Sequence, residues 1–412
     1  MSKSILVIGG GFSGITAALE AAEVGHEVYL VEKSPFLGGR VMQLNKYFPK
    51  LCPPSCGLEI QYQRIKKNSN VKCLTMAEIT SVSGQAGNYE VAVRIRPRHT
   101  PPNSADLSGL AQSLSRNISN EFEFGLGTRK ALYMDVPFAY PHRYVLDKQN
   151  ISEEDKKKLT QSKLIDLEES EKTITLDVGS IIIATGWKPY DVTKLTTLGA
   201  GSIPNCINNM QMERLAAPSG PTQGQILCPA DNKPPQRVAF VQCAGSRDEN
   251  HLNYCSYICC MASLKQAQYI REQYPESEVT IFYIDLRTPG RYEKFAQQVL
   301  ADEKIKTVKG KVAEVEEDIR SNRVWLTVED AIAGNKMQEC FDLVVLATGM
   351  QPSIAGQALP LNMPIDEEGF IIGGEEKGIF AAGCAKEPLD VMKSAQSATG
   401  AAMKAIQTVR GR

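Results

Sequence analysis

The chain has 412 residues, 46 basic and 47 acidic side chains, and a net charge of −1. That length accommodates two or three domains with sizeable cores, and the charge balance excludes the strongly basic surface that a nucleic-acid binder needs. No apolar run reaches the roughly 18 residues of a membrane helix, and MSKSILVIGGG enters a strand with no secretory signal pattern, so a soluble cytoplasmic protein with no direct membrane span is expected.

In chain order, a buried strand (Ile5 to Ile8) meets a glycine turn, an alanine-rich helix and a second strand (Val28 to Val31). The turn is Gly9-x-Gly11-x-x-Gly14. The first glycine permits the tight turn, the second lets backbone approach a pyrophosphate, and the third lets helix pack close to sheet. Glu32 ends the second strand, where a carboxylate accepts ribose hydroxyls. These features fit NAD and FAD equally. Next comes Cys52-Pro53-Pro54-Ser55-Cys56, two thiols in a proline-stiffened turn. It reads either as a redox dithiol or as a structural or partner contact. Residues 98–128 are Ser/Asn-rich and predicted loop-like, residues 148–172 are highly charged and predicted a solvated helix or hairpin, and the Pro/Gly-rich 218–235 reads as a linker into a second domain.

A second βαβ unit follows, with strand Arg237 to Gln242, helix Ile258 to Tyr274 and strand Glu278 to Asp285. Its first turn, Cys243-Ala244-Gly245-Ser246-Arg247, lacks the glycine pattern that cradles phosphate. Instead Cys243, Cys255, Cys259 and Cys260 crowd this turn, with Cys255 and Cys259 spaced to share a helix face. Four thiolates at a helix N-terminus suit a 4Fe–4S cluster. Structural zinc, redox thiols or a plain core are the other readings of the same residues. Cys73, Cys206, Cys228 and Cys340 are scattered and read as small buried side chains. A last helix runs from Lys393 to Val409.

Several segments resemble the two-dinucleotide-binding-domain flavoproteins. They are SPFLGGR (Ser34 to Arg40), IIIATGWKP (Ile181 to Pro189), its echo VVLATGMQP (Val344 to Pro352) and GIFAAG (Gly378 to Gly383). The resemblance implies FAD and an α/β fold of two doubly wound dinucleotide-binding-type domains, like thioredoxin and glutathione reductase. The FAD-binding domain is expected at 1–215 and 336–412, with an inserted NAD(P)-type domain at 216–335 carrying the cysteine quartet. The implied cofactor contacts are Gly9, Gly11, Phe12, Ser13, Gly14, Glu32, Lys33, Gly39, Arg40, Thr185, Gly186, Gly383 and Cys384. Cys384 stands where such flavoproteins carry Asp, so ribityl contact is expected to pass to backbone amides or to the last helix. Lys393 is the candidate for tuning the flavin.

VQCAGSRD with YCSYICCMASLKQA, together with YFPKLCPPSC, RKALYMDVPFAYP and YIDLRTPGRYEKF, resembles the heterodisulfide reductase A-type flavoproteins. The larger relatives carry a ferredoxin-like cysteine cluster before the RKA segment, and residues 98–128 contain no cysteine. This short form is similar to the A-type component of the quinone-interacting membrane-bound oxidoreductase (Qmo) complex of sulfate reducers. The resemblance implies electron transfer between menaquinol and adenylylsulfate reductase. The implied partners are a membrane haem b subunit plus a larger homologous flavin/iron–sulfur subunit, with this polypeptide held peripherally at the inner membrane. Two other functions fit some of the residues: an NAD(P)H-dependent disulfide reductase using Cys52 and Cys56, and an electron-bifurcating flavin component of heterodisulfide reductase type.

Overall fold

Every residue of Ile5–Ile8 is buried, as an apolar run without alternation requires of a central parallel strand. In the computed structural model, described for residues 2–102, 105–357 and 359–411, this run is the middle of a five-stranded parallel sheet. The strand order is Ile379–Ala381, Ser180–Ile183, Ile5–Ile8, Val28–Glu32 and Val71–Thr75. Helix Phe12–Glu23 crosses between the first two strands of the sequence and packs against the C-terminal helix Val391–Arg410. Both present alanines to this contact, among them Ala17, Ala18, Ala21, Ala398, Ala401 and Ala405, all buried in one core. An antiparallel sheet of Ala77–Gln85, Asn88–Ile95 and Lys172–Val178 completes this α/β unit.

The charged 148–172 stretch has a buried side. Helix Glu153–Ser162 starts with a Ser152/Asp155 capping box, and Leu159 and Asp155 are both fully buried. Asp155 accepts hydrogen bonds from the Ser115 backbone and hydroxyl, so the expectation of a wholly solvated arm fails for this side of the helix.

The second unit is built on a seven-stranded sheet. Strands Cys206–Asn208, Leu343–Thr348, Arg237–Ala244, Glu278–Tyr283 and Ile305–Asp318 run parallel, and Arg323–Asp330 and Asn335–Phe341 add an antiparallel edge. Helices Asn209–Ala216 and Cys259–Gln273 pack against it. The units divide at 187/188 and 351/352, in place of the expected boundaries at 215/216 and 335/336. The reason is strand pairing: Cys206–Asn208 and Leu343–Thr348 are neighbours inside the second sheet. Residues 218–235 are therefore an internal loop of this unit, with Ile226 and Cys228 buried.

The cysteine-bearing helix is anchored by a buried ion pair. Lys265 Nζ lies 3.0 Å from Glu213 Oε1, with the side chains 4% and 2% exposed. Gln266 Nε2 donates to the same carboxylate oxygen at 2.7 Å. Removing one partner of a buried pair strands the other charge, at a cost of about 3–5 kcal/mol. Glu213→Ala is expected to lower unfolding free energy by that amount in urea titration, whereas exposed Glu276→Ala, with Glu276 96% exposed beside Lys304, stays within about 1 kcal/mol.

Candidate flavin cleft and cysteine turn

The glycine turn forms one wall of an open cleft of about 1120 Å³ within the first unit. Gly9 adopts φ +106°, and a Cβ there would lie 2.3 Å from the Ala184 carbonyl oxygen. Gly11 caps helix Phe12–Glu23 in extended conformation with no side-chain hydrogen bond, and no acidic residue sits in the first turn. The first-turn amides are thus open to an anion, the arrangement that binds dinucleotide phosphates. Beside this turn stands the start of helix Val391–Arg410, which lines the cleft through Val391 and Ser394; Ser13 Oγ donates to the Ser394 carbonyl at 3.4 Å, and Asp390 caps the helix by accepting from Lys393 N at 2.7 Å. Glu32 reaches the wall too; its oxygens accept from Gly10 N at 2.5 Å and Ser34 N at 2.7 Å. The Thr185 hydroxyl is buried in this wall without a partner. Open helix amides, an acid beside the turn and an orphaned hydroxyl fit FAD.

Ten of the expected cofactor residues line the cleft: Gly9, Gly11, Phe12, Ser13, Glu32, Gly39, Arg40, Thr185, Gly186 and Cys384. Three do not. Gly14 serves packing, since a Cβ there would sit 1.7 Å from the Gly9 carbonyl oxygen. Gly383 packs on Ser13 and its amide donates to Ser397 Oγ at 3.1 Å. Lys33 points to solvent and pairs with Glu78 at 2.9 Å. Cys384 directs its thiol to the Leu389 carbonyl at 3.4 Å, and burial pushes its pKa up, so it lines the cleft as a neutral group. Sequence reasoning missed Phe122, Gln43 and Asp135 in this wall. Phe122 comes from the 98–128 segment read as loop; a turn at Glu121–Glu123 places it there, and Gln43 Nε2 donates to its carbonyl at 3.0 Å. Burial lowers the Arg40 pKa; its guanidinium donates to the Trp187 carbonyl at 3.1 Å and Gln43 Oε1 at 2.8 Å.

In the second unit the strand Arg237–Ala244 is distorted where it reaches Cys243. Its register slips between Val241 and Ala244, and Cys243 takes a left-handed φ of +58°. Arg247 and Tyr257 are also left-handed, at +56° and +67°. Non-glycine residues in this region are uncommon and gather at functional sites. The loop is cross-tied. Arg247 N donates to the Tyr254 carbonyl at 3.1 Å, and Ser256 Oγ accepts from Met350 N at 2.8 Å. His251 bonds Tyr190, Nδ1 to hydroxyl 3.0 Å.

Cys255 lies in this loop, and the helix begins only at Cys259. The expectation that Cys255 and Cys259 share a helix face is therefore corrected: the left-handed Tyr257 breaks the backbone between them. The four thiols nonetheless face one another electrostatically. Cys259 is driven strongly up by burial and then by Cys260, Cys255 and Cys243. Cys243 is raised by burial and by Cys255 but held down by Arg247, and Cys260 is raised by burial and by Cys243 and Cys255. Crowded buried thiols ionise only when a cation compensates them. Among the described residues, no group of three His, Cys, Asp or Glu side chains stands ready to hold a metal ion. Tetrahedral zinc needs its donors at about 2.3 Å from one point. Four cysteines with no histidine among them are the donor set of a 4Fe–4S cluster, in which each thiolate binds a different iron, and these residues would hold it.

Residues 4–49 match the family model for FAD dependent oxidoreductase. That match spans the first strand, the glycine turn with its helix, and the second strand of the first unit. It is 36% identical over 415 residues to the second iron-sulfur A-type component of CoB–CoM heterodisulfide reductase from Methanopyrus kandleri, covering 97% of this chain and 63% of that protein. It is 36% identical to the corresponding iron-sulfur component of CoB–CoM heterodisulfide reductase from Methanocaldococcus jannaschii, covering 98% and 64%. It is 35% identical to the A-type component of the H(2):CoB-CoM heterodisulfide,ferredoxin reductase of Methanothermobacter marburgensis, again 98% and 64%. The chain thus spans less than two thirds of these relatives. Lactococcus lactis thioredoxin reductase aligns over all of both chains with TM-score 0.53 at 14% identity. The bacillithiol disulfide reductase of Bacillus cereus does so with 0.55 at 13%. Those likenesses establish the expected α/β flavoprotein fold.

Three remaining candidates lie apart from the cleft wall of this flavoprotein. Lys393 is exposed, while its neighbours Val391 and Ser394 line the cleft. Cys52 bridges to Tyr47 and Cys56 is exposed in the first turn of helix Pro54–Lys67. Both thiols act on Tyr47, whose pKa is raised by burial and then by the two sulfurs. The wall contains neither cysteine, so a dithiol facing the flavin is not what this geometry provides. Elsewhere burial pushes Cys73, Cys206 and Cys228 up to about 12. With iodoacetamide at pH 8, Cys56 is expected to alkylate first in the native protein, and Cys206 and Cys228 only on unfolding, as mass spectrometry of timed digests would show.

Proposed function

We propose that this protein is the flavin and iron–sulfur electron-transfer component of an oxidoreductase complex. The observation that carries this reading is the convergence of Cys243, Cys255, Cys259 and Cys260 on a βα turn without a phosphate cradle. When bound, FAD supplies a carrier that accepts electrons in pairs and releases them singly, and a 4Fe–4S cluster supplies a one-electron carrier. The protein's own residues bind and insulate. Open amides after Gly11 and the Glu32 carboxylate would hold the dinucleotide, Phe122 and Arg40 close the cleft wall, and the four cysteine thiolates would ligate the cluster.

The finer proposal is a Qmo-like role: electrons pass between menaquinol and adenylylsulfate reductase, beside a membrane haem b subunit plus a larger homologous flavin/iron–sulfur subunit. The absence of cysteine from residues 98–128 supports it. No helix among the described residues is long and apolar enough to cross a membrane, so this reading leaves membrane attachment to a partner. It places the protein in the cytoplasm, peripheral to the inner membrane. A second reading, division of electron pairs between unequal acceptors, is favoured by the M. marburgensis relative, whose name pairs CoB-CoM heterodisulfide with ferredoxin.

Anaerobic purification with iron, sulfide and flavin analysis tests the core reading. About four irons and one FAD per chain are expected, with no bleaching of the flavin by NADH or NADPH. Rapid bleaching of the isolated protein by either nucleotide would restore the disulfide-reductase reading. Tagged purification from the native host tests the finer one, through co-elution of a second flavin/iron–sulfur polypeptide and b-type haem absorbance.

A further inference from the structure

The cysteine turn holds more polar groups than its own hydrogen bonds use. Among the described residues, seven buried side-chain nitrogen or oxygen atoms lack a hydrogen bond, and four of them belong to Gln242, Arg247 and Ser263. Gln242 immediately precedes Cys243 and is 6% exposed, yet both ends of its carboxamide are unpaired. Ser263 is fully buried one helical turn after Cys259, on the same face, with its hydroxyl unpaired. Arg247 holds Asp285 Oδ2 at 2.8 Å with Nη2 and also acts on the Cys243 thiol, while its buried Nη1 meets no nitrogen or oxygen acceptor. The Asp285 carbonyl in turn accepts from the Cys260 thiol at 3.6 Å. The strand and the loop each bring one ligand cysteine and one residue with an orphaned polar group, and the helix brings Cys259, Cys260 and, one turn on, Ser263. Buried polar groups are normally paired, so unused donors concentrated here point to a missing acceptor.

An iron–sulfur cluster on four thiolates offers sulfur acceptors and net negative charge. Adding one electron makes that charge more negative, so a nearby cation and N–H or O–H donors stabilise the reduced form more than the oxidised one. We propose that Arg247, Gln242 and Ser263 donate hydrogen bonds to the sulfurs of the bound cluster and raise its reduction potential, with Asp285 as the positioning residue that aims Arg247. The assignment rests on the cluster reading given above. Arg247 supplies the largest part, because it alone of the three adds positive charge.

The test is an EPR-monitored redox titration of the anaerobically purified protein, with iron and FAD measured on the same samples. Arg247→Gln is expected to shift the equilibrium at least tenfold toward the oxidised cluster, a midpoint about 59 mV lower for one electron. Arg247→Lys, which keeps the charge, recovers part of that shift. Gln242→Leu moves the midpoint in the same direction by less, as does Asp285→Glu, which keeps the carboxylate charge while displacing the guanidinium. Should Arg247→Gln lose iron, Arg247→Lys, Gln242→Leu and Asp285→Glu carry the same reading. Full iron with unmoved midpoints overturns the assignment alone. Wild-type protein without iron overturns the cluster reading and the assignment with it.

Discussion

Cys259→Ser is expected to reduce iron from about four per chain to near zero while FAD stays at the wild-type level. Cys259 opens its helix, and after burial its pKa is raised by all three of the other cysteines, so removing it opens one corner of the quartet. Serine fills nearly the same space but binds iron poorly, and the substitution costs little packing. FAD is retained because every residue lining the flavin cleft belongs to the first unit and Cys259 belongs to the second. Cys206→Ser is the control: that thiol is buried in the same unit, bonded to the Leu198 carbonyl at 3.3 Å, and its loss leaves iron unchanged. Iron retained at full stoichiometry in Ser variants of all four cysteines would sink the cluster. One zinc per chain in the wild type would replace it with a structural site.

Gly11→Ala is expected to weaken FAD binding at least tenfold, about 1.4 kcal/mol, with the unfolding midpoint nearly unchanged. The reasoning separates a glycine kept for ligand approach from glycines kept for the fold. An ideal Cβ on Gly11 meets only Gly39 Cα at 3.8 Å, an ordinary contact, and its backbone, at φ −74° and ψ −177°, suits any residue. The protein has room for that methyl; a pyrophosphate lying over the helix start does not. Gly14→Ala is the opposite case. Its Cβ would fall 1.7 Å from the Gly9 carbonyl oxygen, so helix and strand must separate, at a cost of about 3 kcal/mol or more. Flavin titration and urea unfolding on both variants distinguish the roles. Wild-type FAD affinity in Gly11→Ala would mean that the phosphates pass elsewhere.

The parts legible in the sequence were those written in local periodicity. Ile5–Ile8 and Arg237–Ala244 are near-continuous apolar runs, and each is a central strand. The glycine spacing marked a turn whose clashes the structure now displays at Gly9 and Gly14. Unit boundaries were not legible, because the pairing of Cys206–Asn208 with Leu343–Thr348 joins residues more than a hundred positions apart. Phe122 was invisible for a similar reason, since a Ser/Asn-rich stretch gives no sign of which cleft its one aromatic turn will reach. Extending the helix back to Cys255 failed at Tyr257, whose left-handed backbone no propensity marks. Arg247 looked like any charged loop residue until its partner Asp285 fixed where the guanidinium lies.

The buried Lys265–Glu213 pair bears on how the protein survives air. It clamps the cysteine-bearing helix from within the unit, independently of any metal. On the proposed cluster reading, protein stripped of iron by oxygen is therefore expected to keep this helix in place and to regain iron on incubation with iron, sulfide and a thiol reductant, without a refolding step.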